Sequence, residues 1–169
     1  MMRKVFLVFL VLGLIFAAGC NSPVSLDKDG GIVIKGEDGE KVKIGEDGLE
    51  FTGEDGSESV ISSGDDLKLP DGYPSNIVPL MKGGKITWSN KSTEDNKSTY
   101  WITAEYNKKA EEVIKFYQDK LADMEEVSSQ EIPDYYSLNG KKDGYNIIIS
   151  VTTNDDNTTL SIIITPESD

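Results

Sequence analysis

The side chains best suited to chemistry are few in this chain of 169 residues. It has one cysteine, Cys20, and no histidine, which removes the usual general base at neutral pH and the commonest metal ligand. No nucleophile elbow or phosphate-binding glycine loop is present. Adjacent carboxylates occur at Glu111-Glu112, Glu125-Glu126 and Asp155-Asp156. Because neighbours in sequence rarely face one pocket, we interpret these pairs as solvated and predict no catalytic residue, cofactor or metal.

Cys20 ends a segment with the order of a secretory signal peptide. Arg3 and Lys4 precede an apolar run over residues 5–18, which is shorter than the about 20 residues that cross a bilayer. The tetrapeptide that ends in Cys20, Ala-Ala-Gly-Cys, resembles the lipobox of bacterial lipoproteins. The resemblance implies that residues 1–19 are a signal peptide cleaved before Cys20, whose sulfur receives a diacylglycerol. Two acyl chains hold a protein stably to a membrane.

Location and charge limit the partners. Removal of residues 1–19 leaves 15 Lys and Arg against 30 Asp and Glu, a net charge of −15. Such a surface repels phosphate backbones, so we expect no nucleic acid partner. We expect the protein on the outer face of the cytoplasmic membrane, facing the periplasm if the host has an outer membrane. The lipid on Cys20 is then its membrane contact, and an envelope protein or wall polymer is its further partner.

Composition divides the mature chain into a tether (20–28), a repeat (29–64) and a globular domain (67–169). Gly-Glu-Asp-Gly occurs three times in the repeat, beginning at residues 36, 45 and 53. Asp-Gly between alternating apolar residues is a strong hairpin signal, so we predict a small β-meander or the start of a β-solenoid. Val33, Val42 and Phe51 follow successive Asp-Gly pairs at the same distance and should share one mildly apolar face.

The acidic turns of the repeat invite comparison with calcium loops. An EF-hand needs glycine at its sixth position, where a loop beginning at Asp27 has Ile32. The period also differs from that of calcium-binding β-rolls. We therefore interpret these acids as turn residues and predict no specific calcium site.

Residues 67–169 predict an α+β fold with the order ββαβββ, an antiparallel sheet with one helix packed on one face and preceded by the β-hairpin repeat. Two strands, 85–89 and 100–106, surround a polar loop. Asn107 is the expected N-cap of a helix whose apolar stripe runs from Ala110 to Met124. Three strands follow, at residues 135–138, 145–152 and 159–165.

The start of this domain also carries a resemblance. Residues 70–80 read Pro-Asp-Gly-Tyr-Pro-Ser-Asn-Ile-Val-Pro-Leu. With the strand order, this phrase looks like a domain carried by many small lipoproteins of Gram-positive envelopes, over about the last hundred residues. Members of that group mostly have no assigned activity, so the resemblance implies location and fold rather than chemistry.

Alternate residues of a strand face opposite sides, which sorts the apolar residues of the predicted sheet into two sets. The larger set should meet the helix stripe: Ile102, Ala104, Ile147, Ile149, Val151, Leu160, Ile162 and Ile164. Trp101, Ile148 and Ile163 point to the other side, among polar residues. Either the repeat or residues 70–80 cover them, or they form a docking surface with Trp101 as its anchor. These three are the candidate binding residues.

Three function classes remain. The leading hypothesis is a non-catalytic, membrane-anchored envelope lipoprotein that binds a protein, a wall polymer or a small ligand. The second is a structural spacer in which the repeat acts as a stalk. The third, ranked last because histidine and a free thiol are missing, is a hydrolase of wall material that uses carboxylates alone.

Overall fold

Short runs of alternating apolar and polar residues, separated by Gly, Asp and Asn, predict antiparallel hairpins, and such hairpins dominate the computed structural model. The structure describes residues 24–26, 28, 30–36, 39–45, 48–64, 67–154 and 157–167. The elements are β1 Val24–Leu26, β2 Ile32–Lys35, β3 Lys41–Gly45, β4 Gly48–Thr52, β5 Glu58–Ser63, β6 Lys85–Glu94, β7 Lys97–Tyr106, α1 Ala110–Lys120, β8 Glu125–Ile132, β9 Tyr135–Lys142, β10 Tyr145–Asn154 and β11 Asn157–Pro166.

All eleven strands belong to one sheet, in the order β1-β2-β3-β4-β5-β6-β7-β11-β10-β9-β8. Every neighbouring pair is antiparallel. The chain therefore builds the sheet from one edge to β7, crosses to the other edge through α1, and returns to pair β11 with β7. β1 lies inside the stretch predicted to be a tether, and β5 lies inside the stretch predicted to be the repeat.

The predicted fold class, an α+β domain of order ββαβββ preceded by a separate hairpin repeat, is wrong. The described residues form mostly antiparallel sheet with one short helix, and the repeat strands join that sheet because β5 pairs with β6. A fourth strand, β8, also follows the helix. All eight residues of β8 are exposed, so this edge strand lacks the apolar alternation by which a half-buried strand is recognised.

The hairpin formed by β6 and β7 is longer than predicted. The expected polar loop, residues 90–98, is mostly strand, and the turn is the pair Asp95-Asn96. Both residues have positive φ, 49° and 61°, as a two-residue type I′ turn requires. Asp and Asn tolerate this conformation, so a short turn continues a long ladder of polar cross-strand pairs.

The helix α1 is shorter than its apolar stripe suggests. It has eleven residues, and its N-cap is Lys109, without a side-chain capping hydrogen bond, rather than Asn107. Glu111 and Glu112 lie in the first turn, where negative charge complements the helix dipole. Val113 and Tyr117 are fully buried and contribute to the core next to β10 and β11.

The core lies on one side of the sheet only. Among the described residues, the buried hydrophobic cluster begins at Tyr73 and ends at Ile164, so β1–β5 contribute nothing to it. Segment 67–81 covers this side together with α1. The Tyr117 hydroxyl donates a hydrogen bond to Pro79 O (3.2 Å) and the Tyr106 hydroxyl donates one to Met81 O (3.1 Å). Two tyrosines thus fix the segment against the sheet.

Candidate functional site: the open face of the sheet

The open face is the side of the sheet that carries Trp101, Ile148 and Ile163. Burial alternates along the strands as the parity of the sequence predicts: Ile102, Ile149 and Ile162 are fully buried on the core side. Trp101 is 46% exposed, Ile148 is 39% exposed, and Ile163 is partly exposed. The three residues are direct cross-strand neighbours, since Ile163 lies opposite both Trp101 on β7 and Ile148 on β10.

A second tryptophan supports the first. The rings of Trp88 and Trp101 meet edge to face, with centroids 5.0 Å apart at an angle of 74°. The Trp101 indole also donates a hydrogen bond from Nε1 to Ser161 Oγ, at 2.9 Å. These contacts hold a large, half-exposed ring in one orientation, which lowers the conformational entropy that binding would cost.

Regular alternation along β6 would place Trp88 on the core side of the sheet, but it lies on the open face. Ile86 and Trp88 are two residues apart and would share a face in a regular strand, yet Ile86 is buried in the core. The register of β6 against β7 shifts between these two residues, so Trp88 lies opposite Thr103 on the open face. A bulge adds one residue to one strand and reverses the alternation beyond it. No residue type in this stretch signals the bulge.

Apolar residues of the open face line up over eight of the eleven described strands. One residue from each strand, each directly opposite the next, forms a line that we call the central row. In sheet order from β1 it consists of Leu26, Ile32, Ile44, Leu49, Ile61, Asn90, Trp101, Ile163, Ile148, Asn139 and Ser128. The first five and the three from Trp101 to Ile148 are apolar, and none of the eleven carries a charge.

Two flanking rows are also uncharged. The first runs over β1–β7 through Val24, Ile34, Val42, Phe51, Ser59, Ser92 and Thr99. The second runs from β5 to β8 through Ser63, Trp88, Thr103, Ser161, Ser150, Ser137 and Gln130. Charged residues of β2–β5 occupy the reverse face instead, where Lys43 Nζ lies 4.0 Å from the Glu50 carboxylate. The sheet is therefore amphipathic even where it has a single layer.

One predicted grouping in the repeat is wrong. Val42 and Phe51 are cross-strand partners on the open face, but Val33 lies on the reverse face opposite Lys43. Lys35 pairs with Lys41, so five residues separate β2 and β3, whereas Gly45 pairs with Gly48 and only two residues separate β3 and β4. Loop length fixes register, and a register offset of one residue transfers every side chain to the other face.

Neither segment expected to cover Trp101 does so. Strands β1–β5 extend the sheet sideways, from edge to edge, and do not fold over it. Segment 67–81 packs on the opposite, core side, where Tyr73 meets Tyr100 with ring centroids 5.7 Å apart. Trp101 and Ile148 are therefore exposed in the single chain.

The acidic turns show turn geometry where they are described. Asp55 Oδ1 accepts a hydrogen bond from Ser57 N at 2.9 Å, and Gly56 has a φ of 80°. The hydrogen bond from the Ser57 side chain, with that from its backbone, lowers the pKa of the Asp55 carboxyl. Within the described ranges no three metal-ligating side chains cluster. Glu37, Asp38, Glu46 and Asp47 lie outside them, so the absence of a calcium site stays a prediction.

The carboxylate pair at the helix start lines an open cavity of about 730 Å³ between α1 and the β8–β9 turn. Glu111 and Glu112 on one side and Glu131 and Asp134 on the other are all solvent-exposed. A general acid of a glycosidase needs desolvation to raise its pKa, and these positions do not provide it. The cavity has the character of a solvated groove.

The remaining predicted site residue, Cys20, lies outside the described residues. In the described part of the chain, no helix has the length and apolar character needed to cross a membrane. Comparison with protein-family models, curated proteins and solved structures finds no match to this chain.

Proposed function

We propose that this chain is an extracytoplasmic lipoprotein, anchored to the membrane through a lipid on Cys20, that acts as a non-catalytic interaction module of the cell envelope. The observation that carries the binding role is the uncharged central row with Trp101 near its middle. Monomeric proteins rarely expose so many neighbouring apolar side chains on one face unless that face binds something.

The chemistry of the open face favours a protein as the bound molecule. The polar residues of its central and flanking rows are Ser, Thr, Asn and Gln, so a charged wall polymer would find no ion to pair with along these rows. Small ligands need concave sites that enclose most of their surface, whereas this face is the surface of a sheet. Depletion of charge and a supported aromatic anchor are typical of the centre of protein interfaces.

The proposed anchor lies close to the sheet. Only four peptide steps separate Cys20 from Val24, the first residue of β1, so the two are at most about 14 Å apart. An anchored molecule would thus hold its β1 edge near the bilayer and present the open face to proteins in the same membrane.

The anchor is tested by Cys20→Ser in the native host. Without the sulfur no diacylglycerol can be attached, so the protein should leave the membrane fraction or keep its signal peptide. Membrane retention equal to that of the unmodified protein, with an unchanged N-terminus, would refute the lipid assignment.

The binding role is tested with a pair of matched substitutions, Ile148→Asp and Val60→Asp. These residues are 39% and 38% exposed, but Ile148 lies in the central row and Val60 on the reverse face opposite Glu50. Protein partners are crosslinked to the lipidated protein in intact cells. Ile148→Asp should reduce crosslinked product about tenfold, because a charge in the interface centre is desolvated without a partner. Equal yields from both variants would reject the open face as the binding surface.

A further inference from the structure

We infer that the molecule bound by the open face is a second copy of this chain, stacked face to face. The inference rests on the proposed function, in which this face binds a protein, and names the partner. Three features support it: the area of the uncharged rows, their lack of charge in a strongly acidic chain, and the single-layer state of β1–β5.

The area is sufficient for a dimer. Neighbouring strands are about 4.8 Å apart, so the central row of eleven strands is about 48 Å long. With alternate residues about 6.8 Å apart along each strand, the central and flanking rows together cover about 800 Å². Specific protein complexes bury about 800 Å² on each partner, so one such face is large enough to form an interface with its own copy.

The charge distribution fits a self-partner better than a charged one. The chain carries a net charge of −13, yet the three rows contain no ionised side chain. An interface built for a basic partner would present carboxylates, since complementary charges guide association. Two identical sets of uncharged rows are complementary to each other, and their contact desolvates no charge within the rows. Charged pairs of the open face, among them Lys85 opposite Glu105 and Glu125 opposite Lys141, lie outside these rows.

The repeat strands gain most from stacking. Among the described residues none of β1–β5 contributes to the buried core, and Leu26, Ile32 and Ile44 are 77%, 42% and 36% exposed. A sheet with one apolar face reaches a stable arrangement by packing that face on another sheet, about 10 Å away. A second copy supplies a face with the same twist and the same apolar line.

Asn90 provides a reporter position. It is the central-row residue of β6, the middle strand of eleven, and lies between Ile61 and Trp101. In a two-fold dimer the residues near the symmetry axis lie close to their own copies. A cysteine at the middle of the row is thus the position best placed to crosslink two stacked chains.

The experiment uses the lipidated full chain in intact cells, with Asn90→Cys and a bis-maleimide that spans about 10 Å, the distance between stacked sheets. The unmodified chain controls for reaction at Cys20. Lys91→Cys is the matched control, because Lys91 is adjacent in sequence but lies on the reverse face opposite Val60. Thr103→Cys, on the open face next to Trp88, is a second reporter should Asn90→Cys fold poorly.

We expect a product of twice the monomer mass from Asn90→Cys or Thr103→Cys, absent from Lys91→Cys and reduced about tenfold by adding Ile148→Asp. Its yield from isolated membranes should rise between about 50 mM and about 500 mM salt, because screening weakens the repulsion between two acidic molecules.

Other outcomes separate the two proposals. A product of the open-face cysteines with a different protein, and no homodimer, overturns the second copy but leaves the interaction module standing. If neither reporter gives a product while both variants remain folded and anchored, the face-to-face dimer and the binding role of the open face are both refuted. A homodimer that forms equally from Lys91→Cys reflects crowding on the membrane and overturns the face-to-face arrangement.

Discussion

Strands β1–β5 and strands β6–β11 form one continuous sheet with apolar residues at alternate positions, but most of these residues face the open side in β1–β5 and the covered core side in β6–β11. Ile149 on β10 is fully buried, whereas Ile44 on β3 is 36% exposed. Both belong to a regular antiparallel ladder. The difference lies in the covering layer, because α1 and segment 67–81 pack over the core side, where Ile149 lies, and none of the described segments packs over the open face, where Ile44 lies. Alternation makes a strand amphipathic, but only topology supplies the layer that buries it.

The largest expected difference between the two regions comes from an identical truncation in each. Ile149→Ala removes buried methyl groups and leaves a cavity, and should lower the free energy of unfolding by about 2–5 kcal/mol. Ile44→Ala should lower it by less than about 1 kcal/mol, since the side chain is already in contact with water. Urea denaturation at dilute protein, where no dimer forms, measures both. Equal losses would mean that the repeat has a buried layer of its own.

Alkaline pH should also act on one region only. Burial raises the pKa of Tyr106 to about 12 and moves the pKa of Tyr73 and Tyr117 upward, mainly through desolvation. Unfolded tyrosines titrate at about 10, so between about pH 10 and 12 the unfolded state binds fewer protons than the native state. The free energy of unfolding is therefore fully retained below pH 10 and falls as pH rises through 12.

Denaturation curves between pH 8 and 12 measure this loss, and Tyr73→Phe provides the control. The Tyr73 hydroxyl is buried without a hydrogen-bond partner, so its removal breaks no hydrogen bond. As pH rises, the free energy of unfolding of the variant should fall less than that of the unmodified chain. The segment from residue 24 to residue 66 contains no tyrosine and adds nothing to this titration. A stability that stays constant up to pH 12 would contradict the buried environment of these phenols.

Substitution of one glycine in each region should give a smaller difference in stability. A Cβ at Gly84 would overlap the Tyr106 ring, whereas one at Gly45 would meet nothing within 4 Å. Gly84→Ala should destabilise the protein by about 1–3 kcal/mol, as overpacking does, because the ring that fixes segment 67–81 must move. Gly45→Ala should leave the thermal midpoint nearly unchanged. The expectation fails if the thermal midpoints of the two variants cannot be told apart.

The smallest expected effect is that of calcium on the repeat. If its acids serve turn geometry, as Asp55 does, then removing calcium with a chelator should not move the thermal midpoint, and micromolar calcium should give no saturable heat in a titration. The same measurement on a variant with Asp55→Asn is the control for weak field effects. Saturable binding at micromolar strength would overturn the prediction.

Much of the local structure can be predicted from sequence alone. The turn at residues 53–56, the helix around Tyr117 and the strands that carry Ile149 and Ile162 are marked by turn residues and by the spacing of apolar residues. The candidate site can also be predicted in part, since the alternation of side chains along the strands places Trp101, Ile148 and Ile163 on one face. The edge strand β8 escapes detection because a strand exposed at every position needs no apolar alternation. The position of Trp88 on the open face cannot be predicted, because a bulge reverses the alternation of side chains and no residue type marks it in the sequence.

The sequence by itself determined the local alternation, the turns and the uncharged character of one set of strand positions, because backbone conformation and side-chain polarity act over a few residues. Only the tertiary structure decided that the repeat and the following strands share one sheet, that segment 67–81 lies on the core side, and that none of the described segments covers the open face. These outcomes depend on register and on contacts between distant segments. The pairing of β5 with β6 joins the repeat to the sheet, and the hydrogen bonds of Tyr106 and Tyr117 hold segment 67–81 on the core side. Both join residues that are far apart in the sequence, so no local pattern encodes them.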